Sequence, residues 1–176
     1  PLPQMRRPDI RQRIIEQVLD MAAEANVDDV HIIAALALHR RMTEDELRHA
    51  VGDRVYDAFA PTGLLYNMDA EDPDEMVMLG ETSEGEEVQM VRRAAESDLI
   101  VYVNINMVSM NGGWKSTATG LSGYSGIRHH HNVDTLLKSD LMDHKHSEFH
   151  NKNWRQGDVI TAAGVKVFQI ETTINN

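Results

Sequence analysis

Cysteine is absent from this chain of 176 residues. Its absence excludes disulfide bonds and thiolate metal sites, and it suits a reducing compartment. Long apolar runs are missing as well, because none approaches the about 18–20 residues that a membrane-spanning helix needs. No signal-peptide pattern opens the sequence. We therefore expect a cytoplasmic protein that does not act at a membrane.

Basic residues are in short supply. Lysine and arginine number 17 against 28 aspartates and glutamates, which gives a formal net charge of −11. A surface that binds nucleic-acid phosphates needs a net basic face, so we expect no nucleic-acid partner. The apolar content of 41% is ordinary for a globular protein. Residues 1–176 contain no internal repeat or low-complexity linker and are predicted to form a single domain.

Regular elements are predicted from apolar spacing in the first third of the chain. Apolar residues at helical spacing predict an amphipathic helix from Asp9 to about Ala25. The nearly continuous apolar run from Val30 to Leu38 predicts a buried strand that ends before His39. Thr43 and Glu46 have the spacing of a capping box, which begins a second helix.

Strand and turn signals dominate the rest of the chain. The short runs Met76 to Leu79 and Glu87 to Met90 predict a hairpin. Leu99 to Val103 is an apolar β-branched run that predicts a buried strand. Further along, Val133 to Leu141 is predicted to be helical, and Val165 to Ile170 alternates like a strand.

This alternation of helices and strands predicts an α/β fold with a largely parallel, Rossmann-like sheet and helices on both faces. In such sheets, ligands bind beyond the carboxyl ends of the strands. The strand that begins at Val30 leads to His39, and the strand that begins at Leu99 leads to the loop from Gly112 to Lys115. We expect these two strand ends to converge on one site.

The stretch from Leu99 to Asn132 contains the most unusual residues. Its strand opens into the turn Gly112-Gly113, and Lys115 and the triplet His129 to His131 follow. A glycine-rich turn after a strand places backbone amides beside an anionic group. A lysine amine can hold a cofactor covalently, and imidazoles can ligate a metal. The phosphate-loop pattern G-x-x-x-x-G-K-[ST] is not met, because a tryptophan separates the second glycine from the lysine.

Each of these residues also has an ordinary interpretation. Lys115 by itself is compatible with an exposed surface lysine, and His39 with a solvated histidine. Three consecutive histidines point in different directions, so at most one or two of them can ligate one metal ion. The segment from His144 to Trp154 is polar and has no clear period, and no glutamate accompanies His146 and His150 in a zinc-protease pattern.

Three segments follow one another along the chain in a specific order. They are ALHRRMTEDEL (Ala37 to Leu47), DAEDPDEMVMLGETSEGEEV (Asp69 to Val88), and GGWKS, whose lysine stands sixteen residues before His131. This order resembles the nickel-pincer lactate racemase family. The resemblance implies part of the N-terminal catalytic domain of such an enzyme, whose full chain is more than twice this length. It also implies that a second domain, absent here, or another copy in a homo-oligomer is the partner.

The resemblance implies a nickel pincer nucleotide as cofactor, a pyridinium mononucleotide with two thiocarboxyl-derived arms. Lys115 matches the lysine that tethers this cofactor, with Gly112 and Gly113 in the cofactor-binding turn before it. His131 matches the histidine that completes the nickel coordination. His39 matches the catalytic general base that acts on the substrate hydroxyl.

The activity that the resemblance implies is the racemisation or epimerisation of a small 2-hydroxyacid. A hydride leaves the α-carbon for the cofactor and returns to the opposite face, which inverts the centre. Arg7, or the neighbouring Arg6, would hold the substrate carboxylate or the cofactor phosphate. The motifs are compatible with lactate, a longer aliphatic acid, an aromatic acid or a sugar acid.

One catalytic position of the family differs in this chain. The family has a second catalytic histidine about ten residues before the lysine, whereas Ile105, Asn106 and Met107 stand in this region here. Either the substrate is not lactate or another histidine takes the second proton transfer. The candidates are the three later histidines, His144, His146 and His150.

A second class of function stays open at this point, namely a non-catalytic or truncated α/β binding module with adventitious histidine metal binding. Such a module predicts metal uptake that depends on His129 to His131 but not on Lys115, with no turnover of any hydroxyacid. A racemase domain instead predicts cofactor attachment that depends on Lys115.

Overall fold

The computed structural model describes residues 8–106, 108 and 110–173. The helices are α1 (Pro8–Glu24), α2 (Glu44–Val51), α3 (Asp53–Phe59), α4 (Arg92–Ala95), α5 (Gly113–Gly120), α6 (Tyr124–Ile127), α7 (Val133–Leu137) and α8 (Glu148–Ala162). The strands are β1 (Ile32–Ala34), β2 (Leu65–Asn67), β3 (Met76–Glu81), β4 (Glu87–Val91), β5 (Ile100–Asn106) and β6 (Val167–Thr173). None of the helices in this part of the chain is both long enough and apolar enough to cross a membrane.

The described residues form two compact units. The first contains residues 8–35 and 40–68, and the second contains residues 36–39 and 69–173. The sequence predicted a single domain over 1–176, and that assignment stays a prediction. Each unit is described by itself below.

The first unit has helices α1 to α3 and a parallel pair of strands, β1 and β2. Its core is made of five buried apolar side chains, Leu47, Ala50, Val51, Val55 and Leu65. The predicted capping box is confirmed, because the Glu46 amide donates to Thr43 Oγ1 at 3.2 Å and the Thr43 amide donates to Glu46 Oε2 at 2.9 Å. The amphipathic spacing before Ala25 is confirmed as α1.

The buried strand predicted from Val30 to Leu38 is much shorter than expected. Only Ile32–Ala34 are extended, in register with β2. The chain then turns, and Ala37 has a left-handed φ of 52°. Alanine has little preference for a strand, so the apolar run after Ile33 does not extend it. His39 therefore follows a turn and does not stand at the end of a strand.

The second unit contains a hairpin and a longer parallel pair. Strands β3 and β4 are antiparallel with an irregularity between Met78 and Gly80, which confirms the predicted hairpin. Strand β5 pairs with β6 in parallel along its whole length, from Ile100 opposite Val167 onwards. Helix α8 packs against α5 and against both hairpin strands. The predicted helix from Val133 to Leu141 ends early, at Leu137.

Helix α8 is the largest element that apolar spacing does not reveal. Its buried face includes the polar residues His150, Asn153 and Gln156 between the apolar residues Phe149 and Ile160. These residues lie at helical spacing, but half of that face is polar, so the hydrophobic period is hidden. The sequence therefore shows no clear apolar period after His144, although the segment from Glu148 onwards is helical.

The α/β class is confirmed, since helices alternate with strands in the described residues. The largely parallel, Rossmann-like sheet is not confirmed. In the described residues, every sheet has two strands, two pairs being parallel and one antiparallel. The strand before His39 and the strand before Lys115 also belong to different sheets. The predicted convergence at one sheet edge is thus not how these residues are positioned.

Candidate functional site

Lys115 lies in the first turn of α5, directly after the loop that follows β5. The glycines that begin this turn have left-handed backbone angles, φ 96° at Gly112 and φ 55° at Gly113, which side chains disfavour. Ser116 Oγ accepts from the Gly112 amide at 3.1 Å and from Asn104 Nδ2 at 3.0 Å, and so joins the loop to β5. The Lys115 Nζ donates to Asn111 Oδ1 at 3.3 Å.

The anionic group beside the turn at Gly112-Gly113 is part of the chain, and a cofactor-binding role for these glycines stays a prediction. The Gly113 amide donates to Glu171 Oε1 at 2.7 Å, and Asn106 Nδ2 donates to Glu171 Oε2 at 3.1 Å. A phosphate bound at this amide would have to replace the Glu171 carboxylate. Sequence reasoning missed Glu171, because an acidic residue in an alternating strand carries no signal of its own.

His39 lies in a turn that is attached to α5. The Ala37 amide donates to the Gly120 carbonyl at 3.0 Å, and the His39 amide donates to the Leu36 carbonyl at 2.9 Å. The turn from Leu36 to His39 accordingly belongs to the second unit, together with Lys115. The His39 side chain is exposed, so it is accessible to a small molecule.

The three consecutive histidines have three different environments. His130 is fully buried, and its Nδ1 lies 2.7 Å from Nδ1 of His131. His131 is exposed at the surface. His129 points elsewhere, with its Nε2 3.4 Å from Glu87 Oε2. This confirms that adjacent histidines do not share one direction, and His131 alone combines exposure with the neighbourhood of Lys115.

The charges of His39 and Lys115 both act on His131. Desolvation lowers the pKa of His131, and the positive charges of Lys115 and His39 lower it further. Burial, followed by the charge of His131, lowers the pKa of His130 to about 3. Both rings are therefore neutral at neutral pH, and a neutral imidazole is the form that ligates a metal. Residues predicted from separate segments thus form one cluster.

The three later histidines differ in their availability. His150 is buried, and its Nδ1 lies 2.8 Å from Oγ of Ser147, the residue before α8. Burial lowers the pKa of His150, and a hydrogen bond with the Met110 backbone opposes this effect. The contact with Met110 joins α8 to the loop before Lys115, which favours a positioning role for His150. His146 is exposed, and its hydrogen bond to Asp143 raises its pKa. His144 is exposed, with its ring centroid 6.4 Å from that of His150.

Two further regions named in the sequence analysis are the one around Ile105 and the one around Arg7. Ile105 is buried with 1% of its surface exposed, so it contributes packing in the region where the resemblance predicts a second catalytic histidine. Arg7 and Met107 lie outside the described residues, and the role predicted for Arg7 stays a prediction.

The cluster of His39, Lys115 and His131 is better suited to a metal that is part of an organic cofactor than to a free metal ion. Within the described ranges, no three histidine, aspartate or glutamate side chains gather to hold a metal ion. The exposed imidazole of His131 interacts electrostatically with the amine of Lys115, which suits a metal carried by a group that the lysine holds. Imidazole is a suitable ligand for nickel. The donor set therefore fits the cofactor that the resemblance implies.

The side chain of Trp114, in the first turn of α5, packs against Gly157 of α8. This contact leads to a prediction about stability. A Cβ placed on Gly157 would overlap the Trp114 indole ring. We expect Gly157→Ala to destabilise the fold, because overpacking costs about 1–3 kcal/mol and the better helix propensity of alanine returns about 1 kcal/mol. Urea unfolding followed by tryptophan fluorescence measures the change. Asp158→Ala, at the next and exposed position of α8, is the matched control. In a Trp114→Ala background, Gly157→Ala should cause no further loss of stability, and a further loss there contradicts the overlap.

The comparisons with known proteins identify a family and a similar fold. The family model of the lactate racemase N-terminal domain matches residues 3–142. Among solved structures, the lactate racemase apoprotein from Thermoanaerobacterium thermosaccharolyticum is similar, with a TM-score of 0.79 and 19% sequence identity. The similarity covers 96% of this chain and 40% of that chain. No curated protein matches.

Proposed function

Because the chain belongs to the lactate racemase N-terminal domain family, we propose that it is the cofactor-holding part of a 2-hydroxyacid racemase or epimerase. The observation that supports this most strongly is the cluster of His39, Lys115 and His131 in one compact unit. These residues come from three separate segments of one unit, His39 and His131 are exposed, and the charges of His39 and Lys115 act on His131. The chain spans 40% of the similar lactate racemase chain, so a second domain would complete the enzyme.

Lys115 and His131 would hold the cofactor. A lysine amine is a nucleophile that forms a covalent bond to a carbonyl-type group, and Lys115 follows the left-handed turn at Gly112 and Gly113. His131 would supply one imidazole to the metal. When bound, a nickel pincer nucleotide supplies the acceptor and donor of the hydride. Gly112 and Gly113 would contribute mainly by shaping the turn, since the Gly113 amide already donates a hydrogen bond to the Glu171 carboxylate.

His39 would move the proton of the substrate hydroxyl. Its ring is exposed, and an imidazole can take up and return a proton in general acid–base catalysis. Ile105 has no proton to exchange, so the second proton transfer falls to another group. His144 is better suited than His150, because the hydrogen bonds of His150 hold a loop in place.

The binding module with adventitious metal is less well supported. Of its three proposed ligands, His129 faces Glu87, and His130 is fully buried. Only His131 remains exposed, and one imidazole does not retain a bare metal ion tightly.

The test is to co-express the chain with nickel and the enzymes that make the cofactor, and then to measure the intact mass. We expect a mass increase the size of a mononucleotide, mapped by peptide analysis to Lys115. The loaded chain, with its second domain supplied, should invert one enantiomer of a 2-hydroxyacid, followed by chiral chromatography. A folded chain that stays at its unmodified mass contradicts the proposal.

A further inference from the structure

We propose that His130 is a positioning residue that holds the ring of His131 through an Nδ1–Nδ1 hydrogen bond and leaves Nε2 of His131 as the nitrogen that ligates metal. The inference rests on the proposed function, because it takes His131 as the metal ligand. It assigns a role to the most deeply buried histidine of the described chain, which the chemistry above does not use.

The contact between the two rings is short and specific. Their Nδ1 atoms lie 2.7 Å apart, which is within the range of a strong hydrogen bond. Two neutral imidazoles meet in this way only if one Nδ1 carries a proton and the other offers a lone pair. Each ring therefore uses its Nδ1 inside the protein, and Nε2 is the remaining nitrogen of His131.

Aromatic packing fixes the orientation of both rings. Phe149 makes edge contacts with His130 and His131, with centroid distances of 5.6 and 5.5 Å. Phe149 is itself buried with 1% of its surface exposed, so it has little room to move. The ring of His131 therefore has few possible orientations, because one nitrogen is hydrogen-bonded and the ring makes an edge contact with Phe149.

The direction of the hydrogen bond follows when metal is bound. A ligating nitrogen carries no proton, so a His131 that ligates through Nε2 has its proton on Nδ1 and donates to His130. His130 then carries its proton on Nε2, an atom that is buried and has no hydrogen-bond partner among the described residues. A histidine that ligates a metal commonly donates a hydrogen bond from its other ring nitrogen, as His131 would to His130. Loss of that hydrogen-bond partner typically lowers metal affinity about 10–100-fold.

The first experiment separates tethering from nickel retention in the loaded chain. His130→Phe keeps an aromatic ring against Phe149 and removes the nitrogen. We expect this variant to carry the mononucleotide on Lys115 but to lose nickel to a chelator about 10–100-fold faster than the unmodified sequence. His130→Asn, whose amide can still pair with His131, should restore part of the retention.

The matched control is His129→Asn, because His129 stands next to His130 but faces Glu87. This control should retain nickel like the unmodified sequence. Equal nickel retention in His130→Phe and the control overturns the inference. Loss of the mononucleotide from the unmodified chain instead refutes the proposed function.

A second experiment does not depend on the cofactor or on any variant. In the ¹⁵N-labelled, cofactor-free chain at pH 8, a scalar coupling across the hydrogen bond should connect the two Nδ1 atoms in the NMR spectrum. Imidazole spectra in which the two Nδ1 atoms are uncoupled overturn the inference, even if His130→Phe fails to fold.

Discussion

Replacing Lys115 with arginine is expected to abolish the mononucleotide-sized mass increase while leaving the fold intact. Arginine keeps a positive charge beside His131, but its guanidinium stays protonated and does not act as a nucleophile. A covalent tether needs a free electron pair on the amine nitrogen. The expected effect is therefore complete loss of attachment, read from the intact mass of the chain after co-expression with nickel and the cofactor-forming enzymes.

The control for this prediction is Lys152→Arg. Lys152 belongs to the same positively charged neighbourhood, since its charge also lowers the pKa of His130 and its Nζ donates to the His129 carbonyl at 2.8 Å. Lys152 lies on α8, whereas Lys115 lies in the first turn of α5. We expect this variant to be loaded like the unmodified chain. An adduct that persists in Lys115→Arg, or that disappears in Lys152→Arg, contradicts the assignment of the tether.

Among the substitutions considered for stability, replacing Arg155 with methionine is expected to cause the largest loss of unfolding free energy. The Glu86 side chain is 4% exposed and is held by Arg155, whose Nε donates to Glu86 Oε2 at 3.1 Å, and by the Thr82 hydroxyl. Breaking a buried pair by removing one partner typically costs about 3–5 kcal/mol. Arg155 is a quarter exposed, so we expect Arg155→Met to lose about 3 kcal/mol of unfolding free energy in urea, near the lower end of that range.

Two further variants test the cause of this loss. Adding Glu86→Gln to Arg155→Met removes the stranded charge and should recover part of the stability. Arg128→Met breaks a comparable pair with Glu87 in which the arginine side chain is 48% exposed, and it should cost much less, because solvent screens exposed pairs. A similar loss in Arg155→Met and Arg128→Met contradicts the explanation by burial.

The same pair predicts a pH dependence. Burial raises the pKa of Glu86, but the hydrogen bonds from Arg155 and Thr82, with the charges of Arg155 and Lys152, lower it to below its ordinary value. A lowered pKa in the folded state contributes stability that is present above the pKa of the unfolded state, about 4.3. This contribution is lost as the pH falls through the folded value. The difference between the unmodified chain and Arg155→Met should therefore shrink in urea titrations below about pH 4.

Several local features of the fold were predictable from the sequence because they depend on neighbouring residues. The capping box of Thr43 and Glu46 satisfies backbone groups within one turn of α2. The hairpin of β3 and β4 and the strand β5 have short apolar patterns that need no distant partner to be read. The α/β class followed from the same patterns.

Other features could not be predicted because they depend on packing. Apolar spacing in the run from Val30 to Leu38 does not show that pairing with β2 stops after Ala34. Helix α8 is hidden because its buried face contains hydrogen-bonded polar side chains, such as Asn153 with Thr119 at 3.1 Å. The acid that occupies the Gly113 amide, Glu171, is 58 residues away in the chain.

The sequence by itself determined which reactive groups this protein has and in what order: a histidine, a lysine after two glycines, and a histidine sixteen residues later. That order carried the family resemblance, which the match over residues 3–142 confirms. Only the tertiary structure decided that a turn holding His39 attaches to α5, and that His131 lies near Lys115 with its ring bound to His130. The reason is physical. Side-chain chemistry is a property of each residue, whereas distance, burial and pKa arise from segments that the chain brings together only when it folds.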